Sequence, residues 1–253
     1  MSEHQNLLAQ HDYAIVDLTI IGEEEWHDEL PLQDIVPKDL ENDVGRTPKL
    51  LVLEDGAPHM ELITWNLGLA RQGKAEYLFS CLLSAPDIAP EDMLEHLRDH
   101  LVFDSPQGKG QLRSYDGRVF PHLLRMLRPP TLRALFGPIK TWTFLLLHEW
   151  FAALPPETDL MRRYWALHEK ERARVDWIYQ INQVLTEWQW RHNRPWKDLD
   201  DFHVLSEQVE QALREAQAHT QDRGKQNDFA LRRVEEHSIP SYALRQPDIE
   251  QTF

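Results

Sequence analysis

The chain has 253 residues, enough for one large domain or two unequal lobes, and its 42% hydrophobic and 27% charged residues with 10 Gly exclude a disordered composition. Acidic residues outnumber basic ones 42 to 27, and the resulting net charge of -15 repels nucleic-acid phosphates and anionic lipid, with no Lys/Arg-rich block to offset it. The single cysteine, Cys81, excludes an internal disulfide, and its setting in FSCLLSA predicts a buried thiol on a strand.

The opening residues, MSEHQNLLAQHDYAIV, carry neither a basic n-region nor an apolar h-region, which reads as no secretory signal and a cytoplasmic protein. YAIVDL (13–18) then predicts a first strand, and residues 22–48, with Glu23–Glu25 and three prolines, read as loop with one helical turn. LLVL (50–53) is a second strand. Met60, Ile63, Leu67 and Ala70 recur at helical spacing over 58–71, and EYLFSCLL (76–83) is a third strand. A helix over 90–100 follows, then a hairpin formed by LVFD and LRSYD, whose loop is expected to use Gly108 and Gly110 for unusual backbone angles. Residues 117–127 predict a helix that Pro129 and Pro130 stop, TLRALF a short one, and KTWTFLLL a strand after Gly137-Pro138. The longest apolar run, Trp142 to Leu147, is far below the roughly 18 residues of a membrane span.

Past Pro155-Pro156 the pattern turns to long helices. One runs from Leu160 to about His192 with Val175, Ile178, Ile181, Leu185 and Trp188 on one stripe; another covers 199–220, and a shorter piece lies around 229–237. The tail from Ser238 reads as unpacked. Together these patterns predict an α+β or α/β lobe with a mixed sheet over 1–154 and an all-α lobe over 155–253.

The motifs that suggest catalysis are incomplete. Gly68 to Gly73-Lys74-Ala75 matches a phosphate-binding loop except that Ala75 replaces the magnesium-ligating hydroxyl, and its glycines close a helix instead of opening one, so Gly73 is expected to be a helix C-cap. His148-Glu149 starts a zinc-protease motif, but Ala152 stands at the second histidine position. His96 and His100 lie one helical turn apart without a nearby third ligand. Asp198, Asp200 and Asp201 lack the spacing of a calcium loop and suit a helix start. No cofactor or metal is therefore expected. The nine Trp serve as core filler or as interaction anchors; Trp188, Trp190 and Trp196 are too closely spaced for one inward helix face, which makes them candidate partner-binding residues.

The segment from His96 to Trp142 adds an ordered set of motifs: His96-Leu97-Arg98 on a helix, then Arg113-Ser114-Tyr115-Asp116-Gly117-Arg118, the helix FPHLLRML, and Phe136-Gly137-Pro138 before Trp142. In this order they resemble the core of the type VI secretion effector-chaperone family, with YAIVDL similar to its first strand, so that the likeness covers about residues 12–145. Ser114 and Gly117 depart from the family's Phe and Pro, and the second departure is expected to loosen the turn. Arg113 and Asp116 are expected mainly to brace a strand-to-helix junction, the carboxylate capping the helix. The resemblance implies a non-enzymatic adaptor that binds an effector, through that effector's N-terminal region, and brings it to the VgrG spike. The alternatives are a metal-dependent hydrolase using clustered His and carboxylates, and a toxin immunity protein.

Overall fold

Tyr13–Val16 (YAIV) forms β1, every residue of which is buried. A continuous apolar run of this kind suits a central strand covered on both faces. Around it lie β2 (Gln33–Asp34), β3 (Lys49–Val52), β4 (Phe79–Ser84), β7 (Thr141–Leu146) and β8 (Glu149–Ala153), in the order β2-β3-β1-β4-β7-β8. Each described pairing is antiparallel, with Tyr13 opposite Val52 and Leu83, and Cys81 opposite Phe144. A separate hairpin joins β5 (Val102–Ser105) to β6 (Gly108–Gln111). This computed structural model describes residues 7–17, 29–37, 47–54, 56–73, 77–105, 108–146, 149–158, 166–193, 196 and 198–238.

Helices cover both faces of the sheet. On one, Ile63 and Leu67 of α1 (His59–Arg71) pack with Ala14, Val16, Leu51 and Leu82. On the other, Phe120 of α3 (Phe120–Met126) stacks on Trp142 at 4.5 Å and meets Phe144 at 5.3 Å and Phe136 of α4 (Pro129–Phe136) at 5.9 Å. Between β4 and β5 runs α2 (Pro90–His100), which buries Met93, Leu94 and Leu97. α5 (Glu169–Val175) is tied back to the start of α4: Glu171 accepts hydrogen bonds from the Arg128 backbone N–H at 2.9 Å, its Nε at 3.1 Å and the His168 backbone N–H at 2.7 Å. These bonds hold the Glu171 carboxyl below its ordinary range despite the burial that opposes ionisation.

The remaining helices are α6 (Ile178–His192), α7 (Leu199–Gln217) and α8 (Arg223–Ser238). Ile181, Val184, Leu185 and Trp188 of α6 are buried, as are Val209, Leu213 and Ala216 of α7 and Ala230 and Val234 of α8. Gln180 and Gln226, both buried, bond to each other at 3.0 Å, and Asp198 caps α7 by accepting the Asp201 N–H at 2.8 Å. An antiparallel sheet with helices followed by an all-helical part is thus the fold class expected. The chain divides into compact units Met1–Val175 and Asp176–Phe253, later than the step at Pro155-Pro156, because α5 bonds to α4.

Several expectations need correction. The helix expected to run unbroken to His192 is interrupted between Val175 and Ile178. The second hairpin strand ends at Gln111, so Leu112–Tyr115 is not a strand, and Gly110 does not have a positive φ. Gly110 instead lies against the Phe103 ring, which a Cβ there would approach to 2.8 Å and have to displace. The short β2 and the five-residue β8 were not anticipated. Gly73 does close α1 with a left-handed φ of 67°, its N–H bonding Ala70 O at 2.9 Å. Lys74, Ala75, His148 and the tail beyond Ser238 lie outside the described residues.

Candidate functional site

Most residues of the ordered motifs, Arg98 excepted, lie on the α3/α4 side of the sheet and in the turn that precedes α3. Asp17, just past the end of β1, is 2% exposed, and the Arg113 guanidinium donates to its carboxylate. Arg113 also lies 3.8 Å from Asp116 and 5.6 Å above the ring of Tyr115, itself buried. Asp116 accepts two bonds from the Arg118 guanidinium, at 3.0 and 2.8 Å, and a third from the Arg118 backbone N–H at 2.9 Å. Two carboxylates and two guanidiniums therefore alternate, which compensates the cost of burying Asp17 and Asp116. Burial, with the Asp17 charge adding to it, pushes the Tyr115 phenol well above its ordinary range.

Asp116 caps the turn 116–119 and not the helix itself: its backbone oxygen accepts the Val119 and Phe120 N–H groups, and α3 begins at Phe120. Gly117 does not loosen this turn. Its α-carbon sits so close to β7 that a Cβ would fall 1.7 Å from the carbonyl oxygen of Leu145. A proline there would carry the same Cβ, so glycine permits this close approach of turn to sheet.

His96 and Gly137 form a second junction. The His96 ring lies against Gly137, whose φ of 52° ends α4 and whose missing Cβ would meet the ring at 2.2 Å. His96 Nε2 is 3.0 Å from Leu135 O, and its ring centroid is 4.1 Å from that of His100. Burial, with the neighbouring His100 second, pulls the His96 imidazole down to about 3. His100 and His11 are lowered too, burial being the main cause in each. Arg98, on the opposite side of α2, donates to Asp34 O of β2 at 3.1 Å. Phe136 and Trp142 meet edge to face at 5.8 Å. Pro138 follows Gly137 directly, and the Ile139 N–H then bonds back to Phe136 O at 2.9 Å.

The lowered imidazoles set the sign of a pH dependence. An unfolded His96 takes up a proton below about 6.5 while the folded one stays neutral to about 3, so the unfolded state binds more protons within that window. Stability is expected to fall on acidification from pH 7, His96 alone accounting for about 2 kcal/mol at pH 5. His96→Gln should flatten urea unfolding midpoints plotted from pH 7 to 5; an unchanged slope would rule out this assignment.

The three Trp candidates separate. Trp188 is buried, stacked 5.9 Å from Trp196 and 4.7 Å from His192, and Trp196 in turn meets Phe202 at 5.3 Å. Both are packing residues and not surface anchors. Trp190 is 78% exposed. Tyr179, not singled out from sequence, is 68% exposed, and with Gln183 and Thr186 it shares the outer face of α6 with Trp190 at spacings of four, three and four. The stripe spans about 16 Å along the axis. Two aromatics eleven positions apart on one helix would have revealed it. Asp17 was likewise legible, as an acid ending a fully apolar strand.

Other chemistry gains no assembly. Glu149 opens a strand, not the helix a zinc-protease motif requires. Cys81 is buried at the centre of the sheet, and burial pushes its thiol far up, away from the thiolate a nucleophile needs. Among the described residues no group of three or more His, Cys, Asp or Glu is placed to hold a metal ion, and no helix is long and apolar enough to cross a membrane. A scan against models of protein families finds none that matches this chain, and searches of curated proteins and of solved structures return no significant match.

Proposed function

We propose that the chain is a non-enzymatic adaptor that binds a type VI secretion effector, through the effector's N-terminal region, and brings it to the VgrG spike. The observation that carries this reading is that the residues of the family resemblance converge in space: His96 on Gly137, Phe136 and Trp142 around Phe120, and Arg113, Asp116 and Arg118 in one ion network with Asp17. Such convergence is what a shared framework requires and what scattered chance matches would lack. These groups bond and pack against one another, which makes a framework suited to holding a partner. Trp190 and Tyr179 supply exposed aromatic anchors of the kind that dominate interface energies.

Co-expression with a toxin encoded next to this chain's gene tests the reading. The toxin should co-purify with the adaptor and accumulate to a higher level in its presence, through its N-terminal region; capture of its catalytic part instead would identify an immunity protein. Trp190→Ala should weaken capture about tenfold or more while leaving stability within about 0.5 kcal/mol. Unchanged capture would remove α6 from the interface.

A further inference from the structure

We propose that the outer edge of β8 is a docking site for an extended, basic segment of another protein, which adds to the six-stranded sheet as a further strand. β8 lies at the end of the sheet and pairs with β7 from Trp142↔Ala153 to Leu146↔Glu149. Among the described residues none bonds to the backbone of 149–153 beyond that ladder, so alternate N–H and C=O groups point outward from the sheet.

The two ends of the sheet are treated differently. At the far end β2 is two residues long, its Asp34 is paired with Lys49 at 2.5 Å, and the Arg98 guanidinium occupies the Asp34 carbonyl oxygen. A short strand, charge and an occupied carbonyl are the usual defences of an edge. β8 is less defended: it runs five residues, EWFAA, with Glu149 at its start its one charge, and leads into Leu154, which is 70% exposed.

The edge is also held ready. Trp150 packs on one face of the sheet, 6.1 Å from Tyr77, and Phe151 on the other, stacked 6.0 Å from Phe144. A strand anchored on both faces needs little ordering when a partner arrives, which favours strand addition. Beside Trp150, Ala152 is exposed and small, which leaves room on that face for an apolar side chain of the incoming strand.

Charge selects the occupant. Each copy of the chain carries -15, and Glu149 opens the edge, so a second copy is repelled where a lysine- or arginine-bearing segment is drawn in. This inference rests on the adaptor reading for the identity of the partner, while its test does not involve the effector.

The probe is a labelled synthetic strand of alternating Thr and Val flanked by lysines, followed with the full chain by fluorescence anisotropy and by amide hydrogen exchange. It should bind and slow exchange within 149–153. The same strand flanked by glutamates should bind about tenfold more weakly, and one with proline at its central valines should give no protection. Ala152→Lys, a change at an exposed position that leaves the β7 ladder intact, should weaken binding by about tenfold at unchanged melting temperature. Absence of protection at 149–153, or equal binding of the proline strand, overturns the proposal. So does concentration-dependent protection of 149–153 in the chain alone, which would assign the edge to a second copy. None of these failures alters the result of the toxin co-purification.

Discussion

Gly117→Ala is expected to destabilise the chain by more than about 3 kcal/mol, at or above the upper end of the usual cost of overpacking. The added methyl would lie 1.7 Å from Leu145 O and 2.7 Å from the carbonyl carbon, both backbone atoms. Leu145 belongs to β7, which is paired on one side with β4 and on the other with β8, so its carbonyl cannot retreat without loosening a ladder. The turn cannot retreat either, because Asp116 ties it through Val119 and Phe120 to the start of α3. The urea midpoint should drop with an unchanged slope, and the melting temperature by roughly 6–12 °C at 2–4 °C per kcal/mol. Gly117→Pro should fare no better. A loss under about 1 kcal/mol would mean that the turn can lift from the sheet, and the argument for tight packing would fall.

The second large effect is expected at Arg113. Arg113→Met removes the cation between Asp17, whose side chain is 2% exposed, and Asp116, at 6%. Asp116 keeps Arg118, but Asp17 loses its guanidinium while remaining buried. Removing one partner of a buried ion pair costs about 3–5 kcal/mol, and the lower figure applies here because Arg113 itself is partly solvated. Arg113→Lys should recover part of the loss, since an ammonium supplies charge without the planar fork. In a double-mutant cycle with Asp17→Asn, a coupling above about 1 kcal/mol is expected; additive losses would show that the two groups do not depend on each other.

Much of this framework is legible along the chain because the forces that make it are local. The central strand YAIV, the stripe of α1 and the start of α2 at Pro90 follow from burial period and backbone restriction. What escapes is set by distance in sequence. Glu171 joins α5 to Arg128, 43 positions away, and no periodicity signals where that tie places the boundary between units. β8 was missed because EWFAA follows another apolar run with no Gly or Pro between them, so strand and turn look alike. The candidate anchors divide for the same reason: spacing shows that three Trp cannot share one face, but not that Trp188 and Trp196 stack inward while Trp190 turns out.

Cys81 gives the molecule a built-in clock. It is the one thiol in the chain, and it lies in β4 between β1 and β7, fully enclosed and held protonated by its surroundings. A thiol reagent can reach it only when the packing over the sheet centre opens. Its labelling rate therefore counts openings of the sheet centre, undisturbed by fraying at β2 or β8 and by motion within the second unit.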